Sequence, residues 1–316
     1  MSRAARMADA TTKPLFDRRA LGRVRSLATT IDDRAIAFTN LDRVLWPAAG
    51  FTKADLAHYY LAIADALLPY LADRALTVGR FPSGVDGRGF AQIEVPGRPP
   101  WIRAARIALA GSGEVKEFTI VEERAALAWL VQMGTIELHT FLGHASDLAT
   151  PTAVLFDLDP TAPATFADAA RVACMLHEKL RAIGLEAYAK TSGSVGIHVV
   201  VPLNTPARYA ETRAFAEIVA RAMAAERPEL VTATLRRAGR EGKVLVDTRQ
   251  NAERLTMVVP WSLRAADLPT VSTPVTWREL ESLGQRELVF TAAEALKRAA
   301  DADPFAPVLA VRQRLP

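Results

Sequence analysis

Three short segments of the chain carry residue types that could handle phosphate and metal. In the first, Asp157-Leu158-Asp159-Pro160 follows the apolar run Ala153-Val154-Leu155-Phe156. Successive side chains of a strand point to opposite faces, so Asp157 and Asp159 project together while Leu158 enters the core. Two carboxylates on one face repel and raise one pKa unless something neutralises them. Hard divalent cations such as Mg²⁺ or Mn²⁺, which take oxygen ligands, are the usual remedy. Alone, the tetrapeptide reads more readily as a strand end followed by an Asp-Pro turn.

The second segment, Lys190-Thr191-Ser192-Gly193-Ser194-Val195-Gly196-Ile197-His198, reads as strand, glycine-rich turn and strand. Gly193 and Gly196 permit left-handed backbone, and their turn could gather N–H groups into an anion nest with the Ser192 hydroxyl as a further donor. His198, at the start of the outgoing strand, could reach a phosphate held there. A plain hairpin turn explains the glycines equally well. Neither a Walker A loop nor a dinucleotide fingerprint fits, because both need a helix after the glycines. The third segment, Val244-Leu245-Val246-Asp247-Thr248-Arg249-Gln250-Asn251, ends another apolar strand on an acid. Each carboxylate alone is weak; three at strand ends, with a phosphate-holding turn between them, suit two-metal phosphoryl transfer. Arg236, Arg237, Arg240, Lys243 and Arg264 lie nearby in sequence, although charge runs are usually only solvated faces.

Regular elements must position these segments. From residue 150 the pattern alternates: strand at 153–157, helix over 164–183, strands at 186–191 and 197–201, helix over 209–225 and strand at 244–247. The β-α-β-β-α-β order predicts an α+β module of split βαβ, ferredoxin-like type. Upstream, the ordered chain is expected to start near Asp33, with a strand and turn over 35–46. Thr52 with Asp55 forms a capping box for a helix whose apolar stripe is Leu56, Tyr59, Tyr60, Ile63, Leu67 and Leu68. A second helix is predicted over 122–133.

Length and composition bound the classes. The 316 residues are half hydrophobic and 23% charged, which excludes a disordered or collagen-like chain and suits about two domains or lobes. No run of 18 apolar residues offers a transmembrane helix. The single cysteine, Cys174, excludes an internal disulfide and a thiolate zinc site, which suits a reducing, cytoplasmic setting. The net charge is only +4. Arg3, Arg6, Lys13, Arg18, Arg19, Arg23 and Arg25 stand against Asp9 and Asp17 in the first thirty residues, so the remainder is close to neutral. Any nucleic-acid binding must therefore use local basic clusters.

Together DLDP, SGSxGxH and VDxxQN, in this order and spacing, resemble the polymerase domain of bacterial DNA ligase D, within the archaeo-eukaryotic primase superfamily. Leu41-Asp42-Arg43-Val44-Leu45-Trp46-Pro47, Thr52-Lys53, Phe81-Pro82-Ser83-Gly84-Val85, Pro99-Pro100-Trp101-Ile102 and Ile136-Glu137-Leu138-His139 agree with that family's landmarks. The resemblance covers roughly residues 35–285. It implies a primase-like fold with two lobes sharing one active-site cleft. The expected partition is a basic arm (1–34), a DNA-facing lobe (35–150), a catalytic lobe (151–290), and a C-terminal helix and tail (291–316).

By position, the resemblance makes Asp157, Asp159 and Asp247 the catalytic, metal-binding carboxylates for two Mn²⁺ or Mg²⁺ ions. His139, Ser192, Gly193, His198, Gln250 and Arg264 would line the pocket for an incoming NTP or dNTP. Arg43 and Lys53 would grip a 5′-phosphate across a gap, with Arg80 and Phe90 near template or downstream DNA; as bland alternatives, the two cations are surface charges and Phe90 is core. His58, His144 and His177 match nothing functional. The implied activity is a nucleotidyltransferase extending DNA ends or filling short gaps in end joining, a monomer working with Ku and a separate ligase near the nucleoid. Val195 replaces a usual lysine, Phe90-Ala91 a phenylalanine pair, Ile93 a basic residue and Thr248 an aromatic. These departures bear on nucleotide affinity and DNA grip. They keep in view a DNA-end-binding module with weak synthesis, beside a primer-independent primase and a metal-dependent phosphoesterase.

Overall fold

The computed structural model describes residues 24–109 and 112–316. The sheet that carries the three acidic segments has the strand order Val231–Thr232, Val244–Asp247, Ala153–Pro160, Ile197–Pro202, Tyr188–Thr191, Pro274–Val275. The four inner strands have the ferredoxin-like order 4-1-3-2, antiparallel throughout. The helices Phe166–Ala182 and Tyr209–Glu226 make the two crossovers. The first is opened by a capping box in which Thr165 and Asp168 satisfy each other's backbone N–H groups.

Alternation along the strands gives this sheet two buried faces. Val154, Phe156, Leu158, Val199 and Val201 pack with Leu176, Ala216 and Met223 of the crossover helices. Leu155 and Val200 turn the other way and join a core with Trp46, Tyr59, Tyr60, Leu76 and Leu138 of the N-terminal half. Asp157 and Asp159 continue the Leu155 face beyond that core, so the acids stand where apolar packing between the lobes gives way to a cleft.

The N-terminal lobe is built on a sheet ordered Thr256–Val258, Thr135–Phe141, Ala75–Arg80, Val115–Ile120, Ala104–Ala108. Its first strand comes from the chain after the third acidic segment, so the lobes are interlocked. Buried hydroxyls add to the join: Tyr59 Oη donates to the Trp261 carbonyl at 2.8 Å, and Tyr60 Oη accepts from Leu263 N at 3.2 Å. The C-terminal stretch packs back, with Phe305 in the shared core and Gln313 bonded to Leu203 and Glu186.

Two boundaries differ from the sequence reading. Ordered structure starts before Asp33, because Ser26–Ile31 pairs with Arg34–Thr39. Asp32 and Asp33 join these strands with φ of 48° and 60°, the left-handed pair that a two-residue hairpin needs and that Asp tolerates. The rest of the basic arm, residues 1–23, lies outside the described residues. The helix after Thr52 does carry its capping box, but it breaks at Ile63 into Lys53–Ala62 and Ala64–Leu71. The apolar stripe runs through the break without a change of face, so periodicity did not reveal it.

Asn251, fully buried, holds the middle of the Asp157 strand. Its Oδ1 accepts from Leu155 N at 2.8 Å, while its Nδ2 donates to Leu155 O at 2.6 Å and Thr248 O at 2.9 Å. The side chain acts as one residue of an absent partner strand. Asn251→Ala strands the buried N–H and carbonyl of Leu155, while Thr248 O keeps its bond from Asn251 N, and we expect a loss of roughly 2–4 kcal/mol in urea unfolding, with Asn251→Asp also destabilising because it removes the donor. A loss below about 0.5 kcal/mol for both would contradict this role.

Candidate active site

The register of the catalytic sheet lines four polar side chains across four strands. Asp247 faces Asp157, Asp157 faces His198, and His198 faces Lys190. Lys190 is completely buried; its Nζ donates to His198 Nδ1 at 2.9 Å and to Ser272 Oγ at 2.7 Å. With Nδ1 accepting, the His198 ring proton sits on Nε2, which stands 3.3 Å from Asp157 Oδ1. Burial, with Lys190 beside it, pushes His198 below the ordinary imidazole range, favouring a neutral ring whose Nε2–H is a donor.

The carboxylates are set apart electrically. For Asp157, the raising effect of burial is outweighed by His198, Lys190 and Arg264, and its pKa falls. Asp159 is pushed up to about 6 by burial and by the charges of Asp157 and Asp247. Asp247 is 1% exposed, and both its oxygens take bonds from Arg249, with Nε to Oδ2 at 2.8 Å.

A divalent cation suits this set in kind. Among the described residues Asp157 Oδ1 is buried without a hydrogen bond, the His198 Nε2 contact at 3.3 Å being an ion-pair distance only, and the repulsion that raises Asp159 is what a cation would relieve. The acids are not drawn into a ready cage: among the described residues, no three His, Cys, Asp or Glu side chains stand as a metal-binding group. Asp247 would join Asp157 and Asp159 as a ligand by releasing Arg249.

The glycine-rich turn differs from the expected nest. The Ser192 hydroxyl accepts from Ser194 N at 3.1 Å and Gly196 N at 3.0 Å, so these amides are spent within the turn. Gly193 has the left-handed φ of 73°, but Gly196 does not; a Cβ there would lie 2.5 Å from Leu158 O, so close approach of two strands requires this glycine. Arg264 closes the turn, donating from Nη1 to Ser192 O at 2.8 Å. Its Nε donates to Glu137 Oε1 at 3.0 Å, and Glu137 Oε2 lies 3.1 Å from His139 Nε2. Burial would raise Glu137, but His139, Arg264 and the Ala265 amide together bring it to about 2.

Glu137 and Lys190, like Arg249 on Asp247, have roles at the site that the sequence reading does not supply. Both lie inside motifs quoted for their neighbours, and an acid two residues before a histidine on a strand was the available signal. Gln250 reaches toward Asp157 Oδ2 at 3.5 Å, with its own Oε1 buried and unpaired. His139, Ser192, His198, Gln250 and Arg264 therefore gather around the acids.

Arg43, Lys53 and Arg80 stand apart from this cluster, around a separate cavity of about 190 Å³ that Asn40 and Gln132 also line. Lys53 is 7% exposed, with Nζ bonded at 2.8 Å to both the main-chain and side-chain oxygens of Gln132. Burial and the nearby Arg43 lower its pKa to about 8. Arg80 Cζ lies 5.5 Å over the Phe90 ring, which is 44% exposed and so is not core. His177 stacks on Trp277 at 3.9 Å, away from the acids.

Asp159 yields a stability test. Its raised pKa means that the ionised form is disfavoured in the fold, so stability falls as pH rises from about 4 through 6 and stays lowered above that. Asp159→Asn should stabilise the metal-free protein at pH 7.5 by about 1 kcal/mol after solvent screening, read as a Tm rise in chelator. The gain should vanish at pH 4; a lower Tm at pH 7.5 would refute the repulsion.

Comparison with known proteins places this geometry. The family described as LigD, primase-polymerase domain, matches residues 52–305. The multifunctional non-homologous end joining DNA repair protein LigD of Mycobacterium tuberculosis is 35% identical over 267 residues, which are 82% of this chain and 35% of that protein. The bifunctional LigD of Bacillus subtilis is 32% identical over 249 residues, 78% of this chain and 40% of that one. The chain thus spans a little over a third of the length of these relatives. The solved polymerase domain from Mycobacterium tuberculosis ligase D in complex with DNA superposes with a TM-score of 0.81 at 33% identity, covering 88% of this chain and 99% of that one. With the family matched over most of its length and the fold matched to a solved member, the chain belongs to the LigD primase-polymerase domain family.

Proposed function

We propose that this protein is a DNA end-joining polymerase that adds ribo- or deoxyribonucleotides to DNA 3′ ends or across short gaps. The observation that carries this reading is the cross-strand row from Asp247 to Lys190, acidic at one end and a hydrogen-bond donor set at the other. A nucleoside triphosphate needs such a polarity: donors for the phosphates beside acids for the metals that accompany them.

Asp157, Asp159 and Asp247 would hold two Mn²⁺ or Mg²⁺ ions, which when bound supply charge neutralisation for phosphoryl transfer. The protein's own groups do the positioning. Neutral His198 presents Nε2–H, Arg264 presents a guanidinium fixed by Glu137 and Ser192 O, and the Ser192 hydroxyl, whose oxygen already accepts two turn amides, keeps its proton to donate. His139 and Gln250 complete the pocket. The 3′-hydroxyl oxygen bonds to the α-phosphorus, pyrophosphate leaves from the opposite side with the electron pair, and the hydroxyl proton passes to solvent.

The cavity of Arg43, Lys53 and Arg80 suits the 5′-phosphate on the far side of a gap: it gathers three cations with no carboxylate among its lining residues. Its partner substrate would be broken or gapped DNA, with Ku and a ligase as companion proteins. Asp157→Ala should abolish nucleotide addition to a gapped duplex with Mn²⁺ while leaving DNA affinity within about threefold. DNA binding without any addition by the wild-type protein would refute the polymerase reading. Arg43→Ala with Lys53→Ala should weaken binding to 5′-phosphorylated gaps about tenfold or more and erase the preference over 5′-hydroxyl gaps; a preserved preference would remove the phosphate from that cavity.

A further inference from the structure

A cavity of about 230 Å³ lies where the two lobes and the C-terminal stretch meet. Phe141 and Leu142 wall it from the N-terminal sheet, Val200 from the catalytic sheet, and Phe305 and Val308 from the C-terminal stretch. Val259, just after the strand that interlocks the lobes, completes the apolar wall. Ala153 also lines the cavity, on the same face of its strand as Asp157 but four residues before it, about 13 Å away. Leu155 stands between them on that face, packed in the shared core. The cavity is therefore separate from the acids and from the cavity of Lys53. Its make-up, mostly apolar with a few polar groups, is that of a small-molecule site.

One charge sits in this apolar wall. Half-buried Arg74 lines the cavity, with Nη1 donating to Leu142 O at 2.6 Å and Phe141 O at 3.3 Å, and Nη2 to Thr152 Oγ1 at 2.8 Å. All three acceptors are neutral, and two of the five guanidinium N–H groups remain. Among the described residues Arg74 makes no ion pair: the carboxylate of neighbouring Asp73 is taken by Arg103 at 2.6 Å and by Ser146. Burial lowers Arg74 to about 10, against the raising effect of Tyr209 and Asp73, so it is charged at neutral pH with no anion in contact. A tie between carbonyls needs only a neutral donor, whereas a buried cation left unpaired is costly. A second polar group in the same wall is incomplete: His144 Nδ1 is buried without a hydrogen bond. Orphans of this kind mark a place where a further molecule completes the bonding. Across the cavity, Asn204 Nδ2 donates to Val308 O at 3.0 Å and Val311 O at 2.8 Å, which fixes the C-terminal wall.

We propose that this cavity binds a small organic anion, its carboxylate seated on Arg74 and its apolar body, a single ring or short aliphatic chain, against Val200, Val259 and Phe305. Size and charge set the class. An apolar cavity of roughly 150 Å³ accepts benzene, so about 230 Å³ takes a ring with a short acid arm. A carboxylate matches the guanidinium in geometry and sign. A nucleoside triphosphate is too large, and too highly charged for one cation among apolar walls. The bound molecule touches Phe141, Val200 and Val308, one residue from each of the three parts that meet, and so stabilises their joint. This site goes beyond the polymerase reading and does not depend on it.

The test uses the full chain with phenylacetate as probe, and phenylacetamide and acetate as controls, read by methyl NMR and thermal unfolding. Phenylacetate should bind saturably with a Kd of about 1 mM or below, raise Tm, and show NOEs from its ring to the Val200, Val259 and Val308 methyls. Phenylacetamide, of the same shape without the charge, should bind at least about tenfold more weakly. Acetate should give no NOE. Arg74→Gln, which keeps a neutral donor, should erase the advantage of acid over amide, and Arg74→Lys should retain it. Ala153→Leu fills the cavity without touching Arg74 and should abolish the NOEs while unfolding stays cooperative. Absence of saturable methyl shifts in the wild type up to about 20 mM phenylacetate would overturn the site. Equal affinity for acid and amide would overturn the role of Arg74 and with it the anion.

Discussion

Everything in the catalytic lobe depends on fixing like charges next to one another on a face of a sheet. Asp157 and Asp247 are directly opposed, Asp159 is one repeat along, and burial strengthens the repulsion. The fold answers with opposite polarity on the next strands. Buried Lys190, in line with His198, lies close enough to Asp157 for each to shift the other. A buried lysine without a carboxylate in contact is costly, and burial pushes Lys190 well below its ordinary range. Its bonds to His198 Nδ1 and Ser272 Oγ recover part of that cost and fix which histidine nitrogen faces the acids.

The same lobe uses polar side chains as substitutes for backbone. Asn251 completes the hydrogen bonding of Leu155, two residues before Asp157. Ser192 satisfies two amides of its own turn, and Glu137 joins Arg264, His139 and the Ala265 amide across the lobes. These groups leave the site residues little freedom, because moving any of them exposes an unpaired buried group. They also explain why the motifs contain residues, such as the Asn of the third segment, that touch nothing in the reaction.

The ferredoxin-like order is readable because each crossover helix and inner strand carries one clear periodicity, and the positions of the three acids on their strands are readable because strand ends are simple to place. What escaped detection depended on register and distance. That Lys190 faces His198 follows from a hairpin pairing the sequence does not state. Which of Gly193 and Gly196 takes left-handed backbone is not legible, because a glycine needed for close approach to Leu158 O looks identical to one needed for φ. That Arg80 shares a cavity with Lys53 and Arg43 has no trace in the local sequence, because pairing across the N-terminal sheet creates the neighbourhood. Thr256–Val258 joined the other lobe's sheet for the same reason: non-local pairing leaves no local trace.

The near-neutral body now has a physical sense. A protein that meets DNA with a uniformly basic surface binds it without regard to ends, since phosphate contacts carry no positional information. Here Arg43, Lys53 and Arg80 gather at one cavity, apart from the row of Asp157, Asp159 and Asp247. Strand phosphates are repelled from the acids unless cations occupy them, so continuous duplex has no favourable path through the cleft. On the proposed end-joining reading a break would have one: its 5′-phosphate would enter the Lys53 cavity, and a nucleotide with its metals would fill the interval beside the acids. Selectivity for ends would then follow from where charge is withheld as much as from where it is supplied.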